Sequence, residues 1–211
     1  MADPLRIGVT ACCGWAIIAL LVQILHARSY GKRPLYAPPA GNSGKAVLYA
    51  FGPGMSPAAK ESVREHLPTY AIGLATHFGI FASFAYLALT TIGANVDGAI
   101  SMAARVAGLM GAVGGGILLV RRLASHRLRG LSSPDDYVAN LLTTAFAALV
   151  FASTLNPAAR PILMAESMAL CLYIPLGKIR HCCFFFTTRS ATAAQFGRRG
   201  TLPPVRATGR G

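Results

Sequence analysis

Two histidines stand out among the residues of this sequence that could do chemistry. His77 lies inside a long apolar block and His181 lies near the end of another, where an ionisable side chain is costly and indicates function. Neutral imidazole is a strong ligand for haem iron, and two imidazoles give a six-coordinate centre suited to electron transfer. The pair predicts a bis-histidine haem site. For either histidine alone, a hydrogen bond to another helix is an equal alternative.

Three further side chains could handle protons or anions near such a site. Glu166 is the only carboxylate inside an apolar block and could exchange protons with quinol, although an ion pair with Arg160 is the simpler interpretation. His66, just ahead of Pro68, could cap a helix, contact a propionate or carry a proton, or be an ordinary surface histidine. Lys178 could bind a propionate or a quinone carbonyl, or extend to the membrane surface.

The five cysteines do not predict a metal site. None forms a C-x-x-C or C-x-x-C-H pattern, so iron-sulfur, zinc and covalent haem ligation by this chain are not indicated. The Cys12-Cys13-Gly14 triplet lies in an apolar block without companion cysteines, and we assign it no chemistry. Nucleotide-binding and hydrolase motifs are also absent from the sequence. Electrons would therefore have to enter or leave through another protein.

The elements that must position these residues are long apolar helices. The chain is 54% hydrophobic and only 13% charged, and a helix needs on the order of 20 apolar residues to cross a bilayer. Five blocks meet this requirement, which predicts an all-α integral membrane bundle of five transmembrane helices. The predicted spans are about 7–25, 70–92, 100–120, 138–155 and 162–186.

Basic residues alternate between the connections of these five blocks. All Lys and Arg residues except Arg6, Arg105 and Arg160 fall in the first connection, in the third connection, or from the end of the fifth block onward. Because cytoplasmic loops are enriched in Lys and Arg, this pattern places the N-terminus outside and the C-terminus in the cytoplasm. This pattern also accounts for the net charge of +13, so the charge does not indicate that the protein binds nucleic acid.

Local sequence adds three structural expectations. Gly111 and Gly115 form a GxxxG pair that is typical of close helix packing in membranes. Pro175 should kink the fifth helix, because it lacks a backbone N–H. Residues 1–189 form the membrane domain, and the basic tail 190–211 should be extended or disordered unless a partner holds it.

The two histidines fall at one predicted membrane level. His77 is seven residues into the second span, roughly 10 Å below the cytoplasmic edge at 1.5 Å per residue. His181 is about five residues before the end of the fifth block, roughly 7 to 8 Å from the same edge. Because the two spans run in opposite directions, one haem could lie between them.

These segments carry a family resemblance. The sequences THFGI at residues 76–80 and PLGKIRH at residues 175–181 resemble the gamma subunit of respiratory nitrate reductase. They are also similar to the membrane cytochromes b of heterodisulfide-reductase-type and sulfite-reductase-associated complexes. The resemblance covers about two-thirds of the chain. It implies that His77 and His181 hold a haem b near the cytoplasm, and it places a basic residue at the position of Lys178.

The match to this family is partial. A second pair of ligands would fall near Leu87 and Leu163, and neither position is histidine. We therefore expect one haem b, with a second held only if His66, His26 or Met164 took an unusual role.

The resulting expectation is a multi-pass subunit of a respiratory complex in the cytoplasmic membrane of a prokaryote. It would pass electrons between a cytoplasmic iron-sulfur subunit and membrane quinone, as part of a quinone-linked oxidoreductase that needs its partners for turnover. The basic inner face would contact that partner and anionic lipid. A haemless membrane anchor or assembly subunit, and a small proton-coupled transporter using His77 and Glu166, are the alternatives.

Overall fold

The computed structural model describes residues 3–31, 36–59 and 61–203, and in these ranges the protein is helical without a strand. The α-helices, in chain order, are α1 (Pro4–Ser29), α2 (Ser43–Phe51), α3 (Glu61–Glu65), α4 (Leu67–Thr91), α5 (Ala99–Ala124), α6 (His126–Gly130), α7 (Pro134–Leu155), α8 (Arg160–Tyr173) and α9 (His181–Arg198). Short 3-10 turns occur at Pro53–Met55, Pro57–Ala59, Pro157–Ala159 and Lys178–Arg180.

Four of the helices are long and apolar enough to cross a membrane. These are α1, α4, α5 and α7, and a fifth span results if the interrupted pair α8 and α9 counts as one. Many large apolar side chains on these helices are exposed, as lipid contact requires, among them Ile17, Ile18 and Phe78. The predictions of an all-α fold and of several spans are confirmed. The side of each terminus stays a prediction from the charge distribution.

The fifth apolar block is not one continuous helix. α8 ends at Tyr173, and α9 begins only at His181. Pro175, in the segment between these helices, is fully buried. The backbone N–H of Gly177 donates a hydrogen bond to the carbonyl oxygen of Tyr173 at 2.9 Å. The predicted kink at Pro175 is confirmed, whereas the prediction of a single helix over residues 162–186 is wrong. The missing proline N–H lets the chain leave the helix here.

The described chain forms two compact units, residues 3–22 with 68–180 and residues 23–67 with 181–203, with the gaps given above. In the first unit α4, α5 and α7 pack closely through glycine. A Cβ atom on Gly79 of α4 would lie 2.5 Å from the backbone nitrogen of Gly111 of α5. A Cβ atom on Gly108 would lie 2.8 Å from the carbonyl oxygen of Ala147 of α7. The GxxxG face is thus confirmed as a packing face, because only glycine allows the backbones to approach this closely.

The second unit packs α2 against α9. The Ser43 hydroxyl donates to the carbonyl of Ala194 at 2.9 Å, and Gly197 lies against Ala46. The prediction of an extended tail from residue 190 is therefore wrong for residues 190–198, which continue α9. Residues 204–211 of the predicted tail lie outside the described residues.

Candidate functional site

His77 lies on an exposed apolar face of α4. The core side of this helix is formed by small and polar residues such as Thr76 and Ser83, and His77 points away from it. Its Nδ1 lies 2.7 Å from the carbonyl oxygen of Gly73, one turn earlier. A carbonyl oxygen can only accept, so Nδ1 donates this hydrogen bond. The Phe81 ring follows one turn on, 6.3 Å from the imidazole between centroids.

His181 is the first residue of α9 and is exposed. Its predicted depth assumed one continuous helix from residue 162, and the interruption at Pro175 removes that basis. Aromatic residues follow within the first turns of α9, with Phe185 and Phe186 partly or fully exposed. His77 belongs to the first compact unit and His181 to the second.

Lys178 takes part in an ion-pair cluster that sequence analysis missed. Its Nζ lies 2.6 Å from Oδ2 of Asp136, and Oδ1 of the same carboxylate lies 3.3 Å from Arg122. Asp136 also accepts the backbone N–H of Ser133 at 2.8 Å, which completes a capping box at the start of α7. The cluster joins the end of α5, the start of α7 and the interruption after α8. Beside it, the Tyr173 hydroxyl hydrogen-bonds to Asp135.

Glu166 on α8 is half-buried, and its two carboxylate oxygens are buried without a hydrogen-bond partner in the described part of the chain. The predicted ion pair with Arg160 is not formed between these described residues; Arg160 instead lines a small cavity of about 120 Å³ with Arg6 and Asp3. An unpartnered buried carboxylate is expensive when ionised. The surroundings of Glu166 therefore suit proton exchange better than a structural ion pair.

The remaining histidines are on surfaces. His66 is exposed between α3 and α4, and its backbone N–H donates to Val63 at 3.1 Å. His26 contacts Tyr30 on the last turn of α1, and His126 begins α6. None of these contacts indicates a metal.

The positions where a second ligand pair would fall are core leucines. Leu87 is 2% exposed and Leu163 is 1% exposed, and both belong to the same hydrophobic cluster. Among the described residues, no group of three or more His, Cys, Asp or Glu side chains could hold a metal ion by itself. The chain thus offers single imidazoles and no preformed metal cage within that range.

Sequence analysis also missed a pair of thiols. The Sγ atoms of Cys13 in α1 and Cys171 in α8 are 3.4 Å apart, although 158 residues separate them in the chain. Neither cysteine has a motif around it, and the only available signal was their presence in two apolar blocks.

Comparisons of the chain with models of protein families, with curated proteins and with solved structures found no match.

Proposed function

We propose that this chain is the haem b subunit of a membrane electron-transfer complex, with His77 and His181 as the iron ligands. The observation that carries the proposal is the hydrogen bond from His77 Nδ1 to the carbonyl of Gly73. Histidines that bind metals usually donate their other ring nitrogen to a carbonyl or carboxylate, which fixes the tautomer and the ring orientation. The sequence segments 76–80 and 175–181 supply the same assignment by resemblance.

The surroundings of both histidines suit a large planar apolar group. His77 shares its face of α4 with exposed Leu74, Phe78 and Phe81, and a Cβ atom on Gly73 would meet nothing within 4 Å. When bound through two imidazoles, haem supplies one-electron transfer at a six-coordinate iron. The role of the protein is to provide two ligands and an apolar environment that keeps water away from the metal.

Lys178 and two proton-exchanging groups complete the proposed site. Half of the Lys178 side chain, 49%, remains exposed beside Asp136, which leaves its ammonium able to attract a propionate or a quinone carbonyl as well. Quinone reduction takes up two protons for two electrons. We assign proton exchange to Glu166 before His66, because the Glu166 oxygens are buried and have no hydrogen-bond partner among the described residues.

The proposed partners are an iron-sulfur subunit on the cytoplasmic side, membrane quinone and anionic lipid. Arg121, Arg127 and Arg129 are exposed around α6, where the charge pattern predicts the inner face. A basic surface of this kind steers an acidic partner or lipid head groups to the membrane. We place the complex in the cytoplasmic membrane of a prokaryote.

The test is a reduced-minus-oxidised visible spectrum of the full chain, purified in mild detergent from membranes that synthesise haem b. We expect a sharp α-band and about one haem per chain by pyridine haemochrome assay. A haemless anchor or a proton-coupled transporter would give no α-band. A spectrum without this band overturns the proposal.

Single substitutions identify the ligands. His77→Ala and His181→Ala should each abolish the α-band while the protein still inserts and purifies. His126→Ala is the matched control, because His126 is an exposed histidine at the start of α6. If the band survived in both ligand variants, the assignment to these two residues would be wrong even if the chain bound haem.

A further inference from the structure

The contact between Cys13 and Cys171 is made by residues on the packing faces of their helices. On α1, Cys13 lies between Val9 and Ala16, both buried and three or four residues away, so the three share one helix face. On α8, Cys171 is 2% exposed, and Met168 one turn earlier lies against Gly8 of α1. Two helix contacts, one at Gly8 and one at Cys13, therefore hold the thiols in register.

The separation is short enough for a bond to form with a small movement. A disulfide has an S–S distance of about 2.05 Å, so the sulfur atoms must approach by roughly 1.4 Å from their present 3.4 Å. None of the five cysteines is in a disulfide in this structure.

We propose that Cys13 and Cys171 form a two-electron redox site that cycles between a dithiol and a disulfide, with membrane quinone as its electron acceptor. In the oxidation, two S–H bonds break and one S–S bond forms. The two electrons and two protons reduce one quinone to quinol, so that atoms and charge balance. The reverse reaction consumes one quinol and restores both thiols.

Location and chemistry favour quinone over a water-soluble oxidant. Both thiols lie within apolar helices, and Cys13 is only half-buried, so a lipid-soluble molecule can reach it while Cys171 stays covered. The thiolate is the reacting form, and the two oxygens of the reduced quinone take up the two thiol protons as the quinol forms.

The experiment counts thiols after quinone treatment. The full chain carrying Cys182→Ser and Cys183→Ser keeps three cysteines and lacks the neighbouring pair whose sulfur atoms are 3.9 Å apart. It is incubated without oxygen with duroquinone, whose ring is fully methylated and therefore does not add to thiols by substitution. After denaturation, N-ethylmaleimide labels are counted by intact mass.

We expect the label count to fall from three to one and to return to three after treatment with dithiothreitol. With Cys13→Ser added, two labels should remain and none should be lost. With Cys12→Ser added as the matched control, the count should fall from two to zero. Peptide mapping of the unaltered chain should find Cys13 linked to Cys171, a readout that does not depend on how any variant folds.

An unchanged count of three labels, or a link through Cys12, overturns the proposal. The site shares only its quinone with the proposed function, and the label count does not depend on haem. A chain without an α-band that still loses two thiols would refute the haem assignment alone. A chain with an α-band and three stable thiols would refute the thiol site alone.

Discussion

At the scale of single residues, two carboxylates of this protein differ in their hydrogen-bonding surroundings. Asp136 is surrounded by donors, from Arg122, Lys178 and the amide of Ser133. Glu166 has none for either oxygen within the described chain. The first arrangement stabilises the structure, because both carboxylate oxygens have donors close by. The second lowers stability and keeps a proton available, which is typical of functional carboxylates in membranes.

Asp136→Asn should destabilise the protein by about 1 to 2 kcal/mol. The change removes a capping interaction worth about 1 kcal/mol and two partly exposed ion pairs worth at most about 1 kcal/mol together. Thermal unfolding in detergent measures the effect, and Asp97→Asn, at an exposed position, is the control. Equal midpoints for the two variants would mean that the cluster does not stabilise the interruption after α8.

Glu166→Leu should have the opposite effect on stability. Leucine has no polar atoms, so the change removes two buried oxygens that have no hydrogen-bond partner in the described chain, and the unfolding midpoint should rise by an amount on the order of 1 to 3 kcal/mol. Quinone-linked electron transfer by the assembled complex should slow if Glu166 exchanges protons. Glu65→Gln, at an exposed position, controls for the loss of charge. A more stable variant with unchanged turnover would remove Glu166 from the proton path.

At the scale of elements, the packing of α4, α5 and α7 depends on glycine backbone contacts. A Cβ atom on Gly79 would meet the backbone of α5 at 2.5 and 2.6 Å, and backbone atoms cannot rotate away. Gly116, on the same α5 helix, would meet nothing within 4 Å. The two positions therefore form a matched pair in which the residue type is the same and only the surroundings differ.

Gly79→Ala should destabilise the protein by about 1 to 3 kcal/mol, the cost usual for overpacking, because α4 and α5 must separate. Gly116→Ala should be neutral or stabilising by up to about 1 kcal/mol, since alanine is the better helix former. The fluorescence of the single tryptophan, Trp15, reports unfolding in detergent. If the two variants unfolded alike, the close approach at Gly79 would not contribute to stability.

Prediction from sequence succeeded where one long apolar block makes one element. The four spans α1, α4, α5 and α7 match the predicted blocks to within a few residues at each end, because the bilayer requirement is strong and local. Prediction from sequence failed at α9. The second half of this helix is polar, which is typical of a disordered tail, but tertiary contacts with α2 hold it in place. The apolar block also continues past Pro175 in the sequence. The kink at Pro175 could therefore be predicted, but the seven-residue interval before the next α-helix could not be predicted.

The chemically important contacts were outside the reach of sequence reasoning for a different reason. Lys178 and Asp136 are 42 residues apart, and Cys13 and Cys171 are 158 residues apart. Each residue could be noted by its type and apolar setting. The pairing depends on how α1, α5, α7 and α8 meet in space, which no pattern within one block encodes.

At the scale of the whole molecule, the charge distribution predicts a definite orientation in the membrane. The connection between α4 and α5 contains no Lys or Arg, whereas the connection between α5 and α7 contains Arg127 and Arg129. Basic residues are retained on the cytoplasmic side during insertion. These two connections should therefore lie on opposite sides, with the one after α4 outside.

Two single-cysteine variants test this orientation. In a background with all five native cysteines changed to serine, Asp97→Cys places a thiol after α4, and Leu131→Cys places one after α6 at a position that is 77% exposed. A membrane-impermeant maleimide added to intact cells should label the cysteine at position 97 and not the one at 131. Both should react after lysis, which confirms that each thiol is accessible. The reverse pattern would put the N-terminus in the cytoplasm and move the proposed iron-sulfur partner to the other side, because the basic surface around α6 would then face outward.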